Sequence, residues 1–242
     1  MSDHAAAEAA PSPLPEPSDH LPAECAIPIH RVGLVAMDMD STAITIECID
    51  EIADFAGRKA EVASVTAAAM RGEIDFAESL RRRVACLEGL SVDVLHAVYH
   101  ERLRPTPGLE RLLAVLHSHG VRTLLVSGGF TFFTERLRSR FGFTYTRANT
   151  LEIRSGHLTG RVNGTIVDAA AKAETLRRLA TTLPLERNAT IAIGDGANDL
   201  PMLAQATLGV AFRAKPKVRA QARASIDRGG IDTLLQVLPG SL

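Results

Sequence analysis

The chain has no tryptophan, two tyrosines and three cysteines among 242 residues, and aromatic residues make up 4% of it. No basic face with interleaved aromatics occurs, and a net charge of -1 with a pI of about 6.7 gives no general attraction for nucleic acid or an anionic membrane surface. Cys25, Cys48 and Cys86 are far apart and odd in number. That usage fits free thiols in a reducing compartment better than a disulfide framework. No run of about 18 apolar residues exists, so no membrane span is expected. The first residues lack the basic and apolar regions of a signal peptide. The nucleotide-binding pattern G-x-x-x-x-G-K-[ST], the zinc-protease pattern H-E-x-x-H and the hydrolase elbow G-x-S-x-G are all missing. Lys and Arg are absent from residues 1–30, which hold six of the twelve prolines. That composition buries little apolar surface and predicts an unstructured tail, and an Arg-free acidic tail is no mitochondrial transit peptide. The expectation is a cytoplasmic protein with a small-molecule substrate, no nucleic-acid or membrane partner, and a monomeric or homodimeric state.

What the chain does contain is a repeating α/β pattern. Gly33-Leu34-Val35-Ala36-Met37 is apolar without alternation, as in a strand covered on both faces of a parallel sheet. Helical spacing then predicts helices over 46–56, 59–71, 75–87 and 92–101, the last with Ser91 as N-cap, and no strand among them. From Pro107 onward helix and strand alternate. Helices are predicted over 109–119, 131–140, 170–181, 198–205 and 231–237. Strands are predicted over 123–126, 190–193, 208–211 and 225–226, with a hairpin of 145–153 and 157–162 turning at Ser155-Gly156. The fold class is therefore α/β, a doubly wound, mostly parallel sheet with a small inserted helical cap. The expected division is a tail over 1–30, a catalytic core over 31–48 and 106–242, and a cap over 49–105.

Four chemical signals fall at strand ends or helix starts. In Asp38-Met39-Asp40-Ser41-Thr42, residues i and i+2 of an extended chain point the same way, roughly 6 to 7 Å apart at about 3.3 Å per residue. An ionised Asp attacks phosphorus to form an aspartyl-phosphate, and a second carboxyl protonates the leaving oxygen and then activates water. Alone, such a pair is equally the mark of a solvated loop or helix cap. Ser127-Gly128-Gly129, between a strand and a helix, suits an anion, and equally an ordinary glycine-rich turn. Lys172, near a helix start, would neutralise a phosphoryl group and keep Asp38 ionised; by itself a lysine is a surface charge. In Gly194-Asp195-Gly196-Ala197-Asn198-Asp199, Asp195 offers a carboxylate to a Mg²⁺ shared with Asp38, which offsets the repulsion between an anionic nucleophile and an anionic phosphate. The alternative is a structural Asp loop.

These four stretches in this order, with a helical insertion after the first strand, resemble the haloacid-dehalogenase-like (HAD) hydrolase superfamily. Within it, Glu47-Cys48-Ile49-Asp50-Glu51, Met70-Arg71-Gly72-Glu73-Ile74-Asp75-Phe76 and Ser79 to Val84 resemble the phosphoserine phosphatase family. The resemblance spans about residues 32–238. It implies Asp38 as nucleophile, Asp40 as general acid and base, and Mg²⁺ on Asp38, the Asp40 carbonyl and Asp195, with Asp199 in support. Ser127, Gly128, Lys172 and Asn198 would hold phosphate. Glu47 would meet a substrate ammonium and Arg83 its carboxylate, under an apolar cover from Met70 and Phe76. The activity implied is hydrolysis of O-phospho-L-serine to L-serine and phosphate, the last step of serine biosynthesis. Many relatives carry a further domain before the catalytic one, and regulation through such a domain is not expected here. The rivals are a phosphatase or phosphotransferase for another small phosphoester, and a catalytically silent binding module, which would carry damage at these positions.

Overall fold

A computed structural model of the chain describes residues 19–241. Seven strands form one sheet in the order β4-β3-β2-β1-β5-β6-β7. They are β1 Val32–Met37, β2 Arg122–Phe130, β3 Tyr145–Arg154, β4 His157–Asn163, β5 Ala189–Gly194, β6 Leu208–Phe212 and β7 Ala224–Ile226. Every neighbouring pair is parallel except the hairpin β3–β4. The doubly wound, mostly parallel sheet expected from the pattern is the one observed.

The apolar runs explain why β1 lies at the centre. All six of its residues are buried. Val35 and Met37 join the hydrophobic cluster on one face, and Leu34 and Ala36 join the cluster on the other. Such a strand has no solvent side, so it needs helices on both faces and has no reason to alternate polarity. Each fully buried Leu or Ile contributes about 1.5–3 kcal/mol against the entropy lost in ordering it.

Between β1 and the core helix α5 (Leu109–Ser118) the chain forms α1 Cys48–Phe55, α2 Lys59–Met70, α3 Phe76–Ala85 and α4 Asp93–Ala97. Asp75 caps α3 by accepting from the Glu78 amide at 2.7 Å, and the Ser91 hydroxyl accepts from the Asp93 amide at 3.2 Å. The fourth helix is shorter than its spacing predicted, because it passes into a wider π turn at Val98–Arg102. The insertion shares its core with the sheet: Ile52, Leu80, Val84 and Leu87 belong to the same cluster as Val35 and Met37. It is also stitched to the hairpin by backbone bonds, Gly89 N to Leu158 O at 2.8 Å, Leu158 N to Leu90 O at 2.8 Å and Val92 N to Gly156 O at 2.9 Å. Helices α6 Thr131–Phe141, α7 Ala169–Ala180, α8 Leu200–Gln205 and the short α9 Pro216–Arg219 complete the core, and the predicted last helix is a 3₁₀ helix over Ile231–Val237.

The expected unstructured tail needs correcting over its described part. Residues 1–18 lie outside the described residues, but 19–30 pack on the core. His20 exchanges two backbone bonds with Ser225 of β7, each 2.8 Å. The Asp19 carboxylate accepts from the amides of Asp227 at 2.7 Å and Arg228 at 2.8 Å. Cys25 and Ile29 are buried. Proline and alanine content hid this, since a few apolar side chains and one edge of sheet are enough to dock a segment whose average composition is poor.

Candidate functional site

The carboxyl ends of β1, β2 and β5 meet the insertion at a cavity of about 510 Å³, where open α/β sheets place their ligands. Asp38 follows β1 directly, and its amide donates to the Ile193 carbonyl of β5 at 3.0 Å. Asp38 Oδ1 accepts from the Met39 amide at 2.7 Å and Oδ2 pairs with Lys172 Nζ at 2.9 Å. Both oxygens are thereby anchored. Lys172 is fully buried on α7 and also pairs with Asp199 Oδ1 at 2.8 Å. Burial alone would lower the Lys172 ammonium, but Asp38 and Asp199 together outweigh it and hold it above the usual lysine range.

The charges at this floor do not balance. Oxygen atoms of Asp38, Asp195 and Asp199 lie within 4.8 Å of one another, against the single ammonium of Lys172. Burial, then the charge of Asp199, pushes Asp195 up to about 6. Desolvation, then the charge of Glu47, pushes Asp40 up to about 7. Three convergent carboxylates with excess negative charge suit a hard divalent cation, which takes oxygen ligands and lowers such raised values. The trio contains the two side chains expected as ligands, Asp38 and Asp195, with Asp199, expected in support, beside them; the Asp40 carboxylate turns away, its Oδ1 accepting from the Cys48 amide at 3.1 Å. Thr42, fully buried, donates to Asp195 Oδ1 at 3.2 Å and so orients it.

The phosphate-type loop lies within β2 rather than after it, as a bulge. Ser127 is buried and its Oγ accepts from the Gly129 amide at 2.8 Å. At Gly129 a Cβ would lie 2.7 Å from Asp40 Oδ2, so any larger residue would push the Asp40 carboxylate aside. Across the cavity, Phe76 at the start of α3 lies over Gly128, where a Cβ would come 2.8 Å from Cζ of its ring. Insertion and sheet therefore touch at the loop itself.

On the insertion side the groups are less settled. Arg83 of α3 is half-buried, and its Nε has no hydrogen-bond partner among the described residues. Burial lowers its guanidinium, opposed by the charges of Asp50, Glu47 and Asp40. Glu47, just before α1, is exposed and accepts from Ser41 Oγ at 2.7 Å. Ser41 holds a left-handed backbone, φ 54°, where no glycine is present to relieve it. Asp38, Asp40, Glu47, Phe76, Arg83, Ser127, Gly128, Asp195 and Asn198 all line the one cavity, with Lys172 beneath them. The Met70 side chain lies outside the described residues. Sequence reasoning passed over Thr42, Ser41, Asp50, Gly129 and Asn149. Ser41, Thr42, Asp50 and Gly129 each sit inside a stretch already singled out, whereas Asn149 carried no local signal.

Residues 35–204 match the family model of haloacid dehalogenase-like hydrolases. The chain belongs to that family. Among its relatives, a phosphoserine phosphatase of Polaromonas sp. is 54% identical over 210 residues, covering 85% of this chain and 89% of the relative. A crystal structure of a probable phosphoserine phosphatase from Vibrio cholerae superposes with a TM-score of 0.81 at 45% identity, covering 91% of this chain and 68% of that one. A phosphoserine phosphatase solved as a phospho-aspartyl intermediate analogue superposes with a TM-score of 0.78 at 36% identity, covering 86% and 99%. As a HAD hydrolase the chain is an enzyme, and the anchored Asp38 and acidic trio lie beyond the carboxyl ends of β1 and β5, where open α/β sheets place their ligands.

Proposed function

We propose that the chain hydrolyses O-phospho-L-serine to L-serine and phosphate with Mg²⁺, through an aspartyl-phosphate, an acyl phosphate formed on Asp38. One observation carries the substrate: the half-buried Arg83, whose Nε is unpartnered, shares the cavity with Glu47 and Asp50 above the Asp38–Lys172 pair. A buried donor without an acceptor costs about 1–3 kcal/mol, more when charged, unless a ligand satisfies it. A guanidinium matches a carboxylate and an acid matches an ammonium, so this end of the cavity suits an amino acid whose phosphate reaches the floor. The names of the relatives agree with that choice.

In this reading Asp38, its carboxylate fixed by Met39 and Lys172, attacks phosphorus as the bond to the serine oxygen breaks. Asp40, raised to about 7, carries the proton that the serine oxygen takes on leaving. The resulting Asp40 carboxylate accepts a proton from the water that attacks phosphorus next, and the Asp38–phosphate bond breaks. Ser127, Gly128, Asn198 and Lys172 receive the phosphate oxygens. Asp38 and Asp195, with Asp199 beside them and the Asp40 carbonyl, would hold the Mg²⁺, which offsets the charge of the phosphate when bound. The helices α1 to α4 act as the cap that excludes water, with Phe76 as part of its apolar face. Three unpaired cysteines support a cytoplasmic setting. Purified protein with Mg²⁺ is expected to release phosphate from O-phospho-L-serine faster, at low concentration, than from an aryl phosphate. Equal kcat/KM on both would leave a general small-phosphoester phosphatase.

A further inference from the structure

The loop that meets the phosphate interrupts the sheet, and one buried side chain repairs the interruption. Val126 pairs with Arg147 of β3 and Phe130 pairs with Asn149, so Ser127, Gly128 and Gly129 stand opposite Ala148 alone. A bulge of this kind leaves backbone groups without ladder partners. The Asn149 side chain supplies the missing partner. Its Nδ2 donates to the Gly128 carbonyl at 2.8 Å, its Oδ1 accepts from the Val167 amide at 2.8 Å, and the residue is 1% exposed. Val167 immediately precedes Asp168, the N-cap of α7, and α7 carries Lys172. One amide therefore ties the phosphate loop to the helix that delivers the ammonium.

The Gly128 carbonyl and the Gly129 amide belong to the same peptide group. Asn149 holds its oxygen, and the Ser127 Oγ holds its N–H at 2.8 Å. Because that hydroxyl oxygen accepts from Gly129, its hydrogen must point elsewhere, and the cavity that Ser127 lines is the open direction. We propose that Asn149 is a positioning residue for phosphate capture, fixing the Gly128–Gly129 peptide so that Ser127 presents its hydroxyl hydrogen to the phosphate. The inference rests on the phosphate half of the proposed function and not on the amino-acid half. It also does not make Asn149 a folding residue: the β2–β3 ladder continues on both sides, and Arg147 separately secures α7 through Thr175 Oγ1 at 2.6 Å.

The test uses the full chain with Mg²⁺, inorganic phosphate as inhibitor and p-nitrophenyl phosphate as substrate, neither containing an amino acid. A failure on phosphoserine by the wild type would thus leave this outcome readable. Asn149→Ala and the isosteric Asn149→Asp, assayed well below their unfolding midpoints, are expected to raise the inhibition constant for phosphate at least about 10-fold. They should also lower kcat/KM by about 10- to 100-fold, the scale on which supporting hydrogen bonds act. A folded variant with both quantities within two-fold of wild type overturns the proposal, whatever its stability. In the wild type, the Asn149 side-chain amide resonance should shift as inorganic phosphate is added. An unmoved resonance at saturation overturns the proposal even if neither variant folds.

Discussion

The floor and the roof of the cavity are built on opposite principles. At the floor, Asp38, Lys172 and Asp199 are all at least nine-tenths buried and mutually bonded before any ligand arrives. At the roof, Glu47 is exposed and Arg83 retains an unpartnered Nε. The floor meets the part common to every phosphate ester, so its geometry can be fixed in advance at no cost in generality. The roof meets the part that distinguishes one ester from another, and it leaves its bonding capacity for the ligand. Chemistry is preorganised where it is shared, and selectivity is stored as unfinished hydrogen bonding.

The largest test of that contrast is Asp38→Asn, which removes the nucleophile while keeping its shape. It should reduce kcat by at least about 10⁴-fold on phosphoserine and on an aryl phosphate alike. A loss confined to one substrate would break the division. Arg83→Ala should act on one side only, raising KM for phosphoserine about 10- to 150-fold, the worth of a charged hydrogen bond, with little change for the aryl phosphate. Parallel losses in steady-state kinetics on the two substrates would dissolve the difference between floor and roof. Thr42→Val deletes the hydroxyl that steers Asp195 and should weaken Mg²⁺ about 10-fold, read as the half-saturating concentration for activity, with KM unchanged at saturating metal.

The smallest effect concerns stability and sharpens the account of the floor. Asp40 and Asp195 have folded values raised from 3.8 to about 7 and about 6. Between those values and 3.8 the folded state binds more protons than the unfolded one. Their contribution is thus full below about pH 4 and is lost as pH rises through 6 to 7. Thermal melts of the chelated protein should show the midpoint falling across that window relative to the protein with Mg²⁺. A midpoint gap independent of pH would refute the crowded-charge description.

Much of this was legible because buried strands write themselves as unbroken apolar runs. Residues 33–37 and 190–193 predicted central strands, and the motifs at their ends placed Asp38 and Asp195 beside each other. Spacing cannot show the bulge: Ser127-Gly128-Gly129 reads as the end of a strand, although β2 continues to Phe130 after its partner slips register. Asn149 was invisible for the same reason, since its role is to replace a ladder bond whose absence is known only in three dimensions. Ser41 carried no glycine to announce its left-handed turn, and Asp50 looked like any acid in the first turn of a helix. Local pattern reports burial and chain direction, whereas partners 20 or more residues away appear only once the sheet is assembled.

One consequence reaches beyond catalysis. The segment at His20 occupies the rim of β7, and the stretch 89–92 occupies the rim of β4, so both outer strands of the sheet already have backbone neighbours. Open rims are where sheets recruit strands from other molecules and begin to aggregate. The short N-terminal segment that looked like loose tail is thus a guard on self-association, and the opposite guard is furnished by the cap. Unpinning the segment at His20 would leave the backbone groups of an outer strand open to pairing at a position far along the chain from Asp38.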